Sequence, residues 1–260
     1  MGKFDGMLIC TDFDMTLGRG GVVSEENLAA IRYFQENGGR FTVISGRAPN
    51  FTYEHVPIDF CAPVSGYNGA LLYTDGGKRC LHRGGCSDFS FLDLLAALWE
   101  RDPNVAYVIV HAADGSGVLT RGVHPGATVY RSTAELRAGV HLPILNAIVV
   151  AYTEEYAKRL LHEIPQLCPH VEAVRSWSVG VEVIFSGDDK GSAALRIRQA
   201  TGAKRLICVG DFENDISMIR VADIGYAVEN ALPEVQAAAD RVTVSWDRHA
   251  IAAIVRDLET

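Results

Sequence analysis

One five-residue stretch decides how the fold and chemistry of this chain are interpreted: Asp12-Phe13-Asp14-Met15-Thr16. It follows an apolar run, residues 7–10, which predicts a short buried strand. Asp12 and Asp14 are two positions apart, so their carboxylates project the same way where the strand ends. Acids beside a hydrophobic core need a cation or a shared proton. One acid can attack an electrophile while the other transfers a proton, which is the minimum set for phosphoryl transfer through an aspartyl-phosphate.

Two further apolar runs, residues 40–44 and 205–209, predict strands that also end in polar clusters. The first ends in Ser45-Gly46-Arg47, and the second ends in Gly210-Asp211-Phe212-Glu213-Asn214-Asp215. Lys190 lies between them in the sequence, at the start of a helical stretch. Because ligands of open parallel sheets bind outside the carboxyl ends of the strands, we expect these groups to share one site.

The charges of this expected site call for a metal ion. A phosphate ester near Asp12, Asp14, Asp211 and Asp215 would meet repulsion of roughly 4 kcal/mol for each close pair of charges, at about 4 Å and an effective dielectric near 20. Lys190 offsets only part of this repulsion. Oxygen ligands suit Mg2+, and the absence of paired His or Cys spacing argues against zinc. The sequence therefore predicts Mg2+ as the cofactor.

The order of these motifs resembles that of the haloacid dehalogenase superfamily of phosphatases. The four matching features are DFDMT, a serine after the second strand, Lys190, and GDFEND. Three further stretches resemble the Cof-type branch of that superfamily, at residues 68–70, 189–191 and 224–235. The resemblance covers nearly the whole chain, and it implies a phosphatase of small phosphorylated metabolites, with sugar phosphates the favoured class.

The resemblance also implies a role for each matching residue. Asp12 would be the nucleophile and Asp14 the general acid and base. The remaining assignments are a phosphate-binding set, Ser45, Gly46, Lys190 and Asn214, and a metal-binding set, Asp12, Asp14, Asp211 and Asp215.

The chain departs from the family pattern at Met15, where members usually carry glycine. Thr16 is retained, so we expect the loop itself to be preserved. The presence of Asp14 is informative as well. Branches of the superfamily that cleave carbon–halogen or carbon–phosphorus bonds usually lack an acid there, so the resemblance implies an ester phosphatase.

Composition narrows the class of protein further. The chain has 260 residues, of which 24 are basic and 32 acidic, giving a net charge of −8. This balance disfavours sequence-independent nucleic-acid binding. The six cysteines contain no C-x-x-C pair, and Cys10 and Cys208 fall in predicted core strands, which favours a reducing compartment. With no evident signal peptide or membrane-length apolar run, we expect a cytoplasmic protein that binds no membrane.

The periodicity of the chain changes twice along its length. Residues 1–82 and 187–260 alternate between strand and helix patterns, which predicts an α/β core with a Rossmann-like parallel sheet. Residues 83–186 show a repeated helix–strand–strand pattern, which predicts an inserted α+β module. In the Cof-type branch such a module is a cap over the active site. A cap would exclude bulk water and contact the leaving group.

Two local signals within residues 1–82 predict particular elements. Ser24 is a candidate helix N-cap, and the stretch 25–36 that follows places Leu28, Ile31 and Phe34 on one helical face. The sequence Gly-Tyr-Asn-Gly at residues 66–69 is a hairpin-type turn signal between two short apolar runs.

Two other functions remain open from the sequence alone. A phosphomutase would use the same Asp12 and Asp14 but return the phosphoryl group to its substrate. A non-catalytic phospho-aspartate switch also combines acids, a hydroxyl and a lysine, although an insertion of this length fits a switch poorly. The oligomeric state and the substrate are open too. The inserted module offers several side chains that are candidates to contact a leaving group: His111, Asp114, Arg121, Arg131, Arg175, Trp177 and Glu182.

Overall fold

The computed structural model describes residues 2–113, 115–168 and 170–259. The chain forms two compact units. The first unit comprises Met1–His82 and Asp189–Thr260, and the second unit comprises Arg83–Asp188. Within the described ranges, none of the helices combines the length and the apolar character that crossing a membrane requires.

The helices and strands are numbered along the chain. The strands are β1 (Met7–Thr11), β2 (Gly18–Arg19), β3 (Val22–Val23), β4 (Arg40–Val43), β5 (Val64–Gly66), β6 (Leu71–Thr74), β7 (Arg79–Arg83), β8 (Val105–Ala112), β9 (Gly115–Thr120), β10 (Thr128–Tyr130), β11 (Ile144–Ala151), β12 (Val171–Trp177), β13 (Gly180–Phe185), β14 (Arg205–Gly210), β15 (Ile224–Val228) and β16 (Arg241–Thr243). The α-helices are α1 (Glu25–Glu36), α2 (Pro49–His55), α3 (Ser90–Arg101), α4 (Thr133–Gly139), α5 (Glu154–Leu167), α6 (Lys190–Thr201), α7 (Ile216–Val221), α8 (Pro233–Ala238) and α9 (Ala250–Asp257).

The main sheet of the first unit has five strands in the order β16-β15-β14-β1-β4, and every neighbouring pair is parallel. The expected α/β class with a parallel sheet is therefore confirmed. Thr11 pairs with Val209 on one side and with Val43 on the other. Because these pairings align the carboxyl ends of β1, β14 and β4, the three polar clusters that follow them begin at the same edge.

Helix α1 illustrates how closely local sequence dictates structure in this unit. The Ser24 hydroxyl accepts a hydrogen bond from the Asn27 backbone N–H at 3.3 Å, which caps the helix where the sequence predicts it to begin. The apolar residues of the predicted helical face, Leu28, Ile31 and Phe34, are buried in the hydrophobic core. Their spacing places them on one face of the helix, which fixes its packing against the sheet.

A small three-stranded sheet, β5-β6-β7, also belongs to this part of the chain. Strands β5 and β6 pair antiparallel, as the turn signal between them predicts. The turn itself, Tyr67–Gly69, is a short 3-10 segment in which Tyr67 and Asn68 both have positive φ angles, 50° and 56°. Strand β7 was not expected from the sequence, because its residues are mostly exposed and lack a clear alternation of apolar side chains.

The second unit contains a six-stranded sheet in the order β10-β9-β8-β11-β13-β12. Helix α3 contacts β8, and helix α5 contacts β11, β12 and β13. Side chains from the helices and the sheet form a separate core that includes Leu95, Val108, Val149 and Leu160. The expected helix–strand–strand pattern occurs twice, as α3-β8-β9 and as α5-β12-β13. Strand β10 and helix α4 were not expected.

Candidate active site

The site is built on the aligned ends of β1 and β14. Asp12 is the first residue after β1, and its backbone N–H donates to the Val209 carbonyl at 3.0 Å. Asp211 is the first residue after β14. Both side chains are largely buried, although they are acids. Their positions follow from the strand register: Thr11 pairs with Val209, so both acids lie just beyond the carboxyl ends of two neighbouring parallel strands.

Lys190 links the loop after β1 to the loop after β14 by binding one acid from each. Its Nζ donates to Oδ1 of Asp12 and to Oδ1 of Asp215, each at 2.6 Å. The lysine side chain is only 1% exposed, so both ion pairs are screened little by water. Lys190 is the first residue of α6, whose N-terminus is capped by the Asp189 carboxylate accepting from the Ser192 N–H at 2.9 Å. This cap fixes where the helix begins and therefore where the ammonium group lies.

Burial dominates the protonation behaviour of the cluster. It raises the pKa of Asp12 to about 7, although the nearby Lys190 ammonium acts in the opposite direction. Burial, together with the charges of Asp215 and Asp12, raises the pKa of Asp211 to about 8. For Lys190, burial favours the neutral amine, but the two carboxylates outweigh it and raise the pKa above its usual value. The lysine therefore stays charged and stabilises the ionised form of Asp12.

Three carboxylates lie close enough together to bind a metal ion. One oxygen from each of Asp12, Asp211 and Asp215 lies within 4.8 Å of the others. Asp215 is itself held in place, because its Oδ2 accepts from the backbone N–H groups of Asp211 at 2.9 Å and Phe212 at 3.1 Å. The Thr16 hydroxyl donates to Oδ1 of Asp211 at 2.8 Å. Clustered carboxylate oxygens are suitable ligands for Mg2+.

Asp14 is held differently from the other acids. Its two oxygens accept from Arg47, with Nε to Oδ2 at 2.6 Å and Nη2 to Oδ1 at 2.9 Å. Its carboxylate does not belong to the group formed by Asp12, Asp211 and Asp215. Among the described residues the structure therefore brings together three of the four predicted metal ligands, and a metal-binding role of Asp14 stays a prediction.

Two of the predicted phosphate-binding residues, Ser45 and Asn214, are linked through an asparagine that was not assigned to the site. Ser45 is buried beyond the end of β4, and its carbonyl accepts from the Asn68 N–H at 3.0 Å. The Asn68 side-chain oxygen accepts from Nδ2 of Asn214 at 3.2 Å. Gly46 follows Ser45 in a half-buried turn. Ser45 and Asn214 are therefore linked through Asn68, which also has a positive φ angle of 56°.

In the sequence, Asn68 stood out only as part of a turn signal and of the family-like stretch 68–70. The signal for a wider role was the Tyr67-Asn68-Gly69 sequence itself, since asparagine tolerates the left-handed conformation and still presents an amide. Arg47 was quoted only as the last residue of the polar cluster that follows the second predicted strand, and nothing local indicated its pairing with Asp14. A pairing across 33 positions becomes visible only when the strand order is known.

Most of the side chains of the second unit that were candidates to contact a leaving group form interactions within that unit. His111 Nδ1 lies 2.6 Å from Asn146 Oδ1, and Asn146 Nδ2 donates to Glu182 Oε2 at 3.0 Å. Arg121 and Arg131 donate to backbone carbonyls, and Arg175 pairs with Glu154 at 3.1 Å. Trp177 is the last residue of β12, and Asp114 lies outside the described residues.

Comparison with known sequences gives one family. The family model described as haloacid dehalogenase-like hydrolase matches residues 9–255. The phosphoglycolate phosphatase 2 of Saccharolobus solfataricus is 37% identical over 98 residues, which cover 36% of this chain and 40% of that protein. The chain therefore spans less than half the length of this curated relative. The 5-amino-6-(5-phospho-D-ribitylamino)uracil phosphatase YitU of Bacillus subtilis is 22% identical over 272 residues, covering 96% of each chain.

Solved structures give a matching fold over nearly the full length. The sugar phosphatase BT4131, of haloacid dehalogenase subclass IIB, superimposes with a TM-score of 0.81 at 22% identity, covering 96% of this chain and 98% of that one. A haloacid dehalogenase-like hydrolase from B. subtilis superimposes with a TM-score of 0.83 at 24% identity, with the same coverage. At these identities the similarity establishes the fold.

Proposed function

The chain belongs to the haloacid dehalogenase-like hydrolases, and on this premise we propose that it is a Mg2+-dependent phosphatase of a small phosphorylated metabolite. The observation that carries the proposal is the buried contact of Lys190 with both Asp12 and Asp215. A nucleophilic carboxylate must be ionised, and Lys190 favours ionisation of Asp12 where burial opposes it. Its named relatives are phosphatases of small phosphorylated metabolites, and the sugar phosphatase BT4131 of similar fold favours a sugar phosphate as the substrate.

The proposed reaction has two steps. In the first, an Asp12 oxygen bonds to phosphorus, and the bond from phosphorus to the ester oxygen breaks as Asp14 donates a proton to the leaving alcohol. In the second, Asp14 removes a proton from water, whose oxygen bonds to phosphorus and releases inorganic phosphate from Asp12. Ser45, Gly46 and Asn214 would hold the phosphoryl oxygens, and Lys190 would stabilise their charge.

The residues present fit a magnesium ion. Asp12, Asp211 and Asp215 would hold it, because each offers a carboxylate oxygen within 4.8 Å of the others. Bound there, Mg2+ would neutralise charge on the phosphoryl group. We further propose that residues 1–82 and 187–260 form the catalytic core and that residues 83–186 serve as its cap domain.

Phosphate release from a panel of esters tests the proposal. The panel contains p-nitrophenyl phosphate and several hexose and pentose phosphates, each assayed with Mg2+ and with EDTA. We expect Mg2+-dependent release, with a higher kcat/KM for sugar phosphates than for the aryl ester. Absence of release from every ester would contradict the proposal. Conversion of one sugar phosphate into its positional isomer without release would favour a phosphomutase instead.

A further inference from the structure

Residues 229–232, between β15 and α8, contact two loops of the site at once; we call them the bridging segment. Asn230 Nδ2 donates to the carbonyl oxygen of Met15 at 2.9 Å. Two residues later, the Leu232 N–H donates to the carbonyl oxygen of Asp211 at 3.0 Å. The segment therefore ties the loop that carries Asp14 to the loop that carries Asp211.

Three contacts fix the segment and the orientation of its amide group. Asn230 Oδ1 accepts from the Trp246 backbone N–H at 3.0 Å. Because that partner can only donate and the Met15 carbonyl can only accept, the two contacts define which side-chain atom is oxygen and which is nitrogen. Gln236 Nε2, on α8, donates to the carbonyls of Glu229 at 2.9 Å and Ala231 at 3.3 Å. The segment is thus held from both sides.

The carbonyl that Asn230 binds belongs to a strained residue. Met15 has a φ angle of 61°, a left-handed conformation that costs a non-glycine residue about 1 kcal/mol or more. Its N–H donates to the Gly18 carbonyl at 2.8 Å. Asp14 directly precedes it, and Thr16, whose hydroxyl binds Asp211, directly follows it. The N–H of Met15 belongs to the peptide that follows Asp14, and its carbonyl belongs to the peptide that leads to Thr16, so the two hydrogen bonds of Met15 fix the orientation of both peptides between these side chains.

We propose that Asn230 is a positioning residue for proton transfer, which acts through the Met15 carbonyl on the loop that carries Asp14. This inference rests on the proposed phosphatase function, in which Asp14 protonates the leaving group. Asn230 is exposed and touches neither Asp12 nor Lys190 in any of its hydrogen bonds. Its contribution is therefore to the geometry of the acid rather than to binding of the phosphoryl group.

The test compares two substitutions that change one amide group each. Asn230→Asp keeps an acceptor for Trp246 but replaces the donor to Met15 by a carboxylate oxygen. Asn37→Asp is the matched control, because Asn37 Nδ2 also donates to a backbone carbonyl, that of Tyr33, at 2.9 Å. Asn37 follows α1 and precedes β4, so it lies at the amino ends of the strands, away from Asp12.

The readout is the dependence of kcat/KM on the leaving group. Phenolate is a more basic leaving group than p-nitrophenolate, so cleavage of phenyl phosphate depends more on protonation of the leaving oxygen. A misplaced acid therefore lowers kcat/KM more for phenyl phosphate than for p-nitrophenyl phosphate. We expect Asn230→Asp to lower kcat/KM about tenfold more for phenyl phosphate than for p-nitrophenyl phosphate. Asn230→Ala, which loses both hydrogen bonds, should show at least this difference, and Asn37→Asp should show none. An equal loss on both esters, or no loss, would overturn the inference.

A second measurement keeps this inference separate from the proposed function. If the wild type releases phosphate from neither ester, the phosphatase proposal fails, and amide hydrogen exchange then decides the role of Asn230. The Met15 and Gly18 amides donate to carbonyls within the loop, at 2.8 and 2.9 Å. We expect both to exchange faster in Asn230→Asp than in Asn37→Asp. Unchanged exchange at these two amides would show that Asn230 does not hold the loop.

Discussion

Arg47 binds the Asp14 carboxylate at two points, with Nε and Nη2 each facing one oxygen at 2.6 and 2.9 Å. The guanidinium group also lies over the Phe51 ring, 4.2 Å from its centroid. The two side chains are 43% and 41% exposed, so this ion pair contributes little to stability, about 1 kcal/mol or less. The ion pair matters instead for the geometry of the site, because two hydrogen bonds fix both the position and the rotation of the Asp14 carboxylate.

Replacing Arg47 by lysine keeps the charge but removes the two-point geometry. We expect Arg47→Lys to lower kcat/KM for a phosphate ester about tenfold, because Asp14 is no longer held in one orientation. The melting temperature should stay within about 2 °C of the wild type. The matched control is Arg79→Lys, at the surface pair with Asp75 (3.0 Å), which should leave both quantities unchanged. Equal activity of the two variants would contradict the role of Arg47.

Lys190 is expected to stabilise the fold as well as the reaction. Lys190→Met leaves the carboxylates of Asp12 and Asp215 buried without their cation, which costs about 3–5 kcal/mol of unfolding free energy. Urea denaturation at pH 8 with EDTA measures this loss. Lys3→Met is the control, because its ion pair with Glu259 lies at the surface, where such pairs contribute little to stability. A similar, small effect of both substitutions would be inconsistent with the structure.

The raised pKa values of Asp12 and Asp211 predict an unusual pH dependence. They are about 7 and about 8 in the folded chain, against 3.8 as the ordinary value of an aspartate. Between pH 3.8 and about pH 8, these two carboxyl groups bind more protons in the folded chain than in the unfolded chain. The free energy of unfolding therefore falls as the pH rises through this range. We expect the metal-free protein to melt at a lower temperature at pH 8 than at pH 5.

Two controls test the cause of this pH dependence: addition of Mg2+, and replacement of Asp211 by a neutral asparagine. Mg2+ should raise the melting temperature more at pH 8, where the carboxylates are ionised, than at pH 5. Asp211→Asn should flatten the pH dependence of the metal-free protein, because one of the two raised groups is removed. A melting temperature that rises from pH 5 to pH 8 without metal would rule out this explanation.

Met15 occupies a position where the family usually carries glycine, and its φ angle of 61° explains that preference. Met15→Gly and Met15→Ala both remove the side chain beyond Cβ, but only glycine relieves the steric cost of the left-handed conformation. We expect the glycine variant to be more stable than the alanine variant by about 1 kcal/mol, measured by urea unfolding. If alanine is the more stable of the two, the loop is not strained at Met15.

The parts of the fold that were predictable from the sequence are those with strong local signals. The three apolar runs became β1, β4 and β14, and Ser24 caps α1 where expected. Helix α4 was missed although its signal was present. Ser132 accepts from the Glu135 N–H at 3.2 Å while the Glu135 carboxylate accepts from the Arg131 N–H at 2.7 Å, and the sequence S-T-A-E encodes this cap.

The features that were not predictable depend on contacts between distant positions. The pairing of Asp14 with Arg47 and that of Asn214 with Asn68 span 33 and 146 positions. Both depend on side-chain directions in loops, which the periodicity of a sequence does not specify. Asn230 was quoted only as part of a family-like stretch, because its hydrogen bond to the Met15 carbonyl crosses 215 positions. Motif order indicated which residues converge, and the structure gives the contacts among them.

The most direct test of the central claim compares phosphate release by the wild type and by Asp12→Asn, from one ester in the presence of Mg2+. Asparagine preserves the shape of the side chain and an acceptor for Lys190, but it cannot form the aspartyl-phosphate. We expect turnover to be lost in the variant while its circular dichroism spectrum stays that of the wild type. Turnover by Asp12→Asn at the wild-type rate would contradict the assignment of Asp12 as the nucleophile.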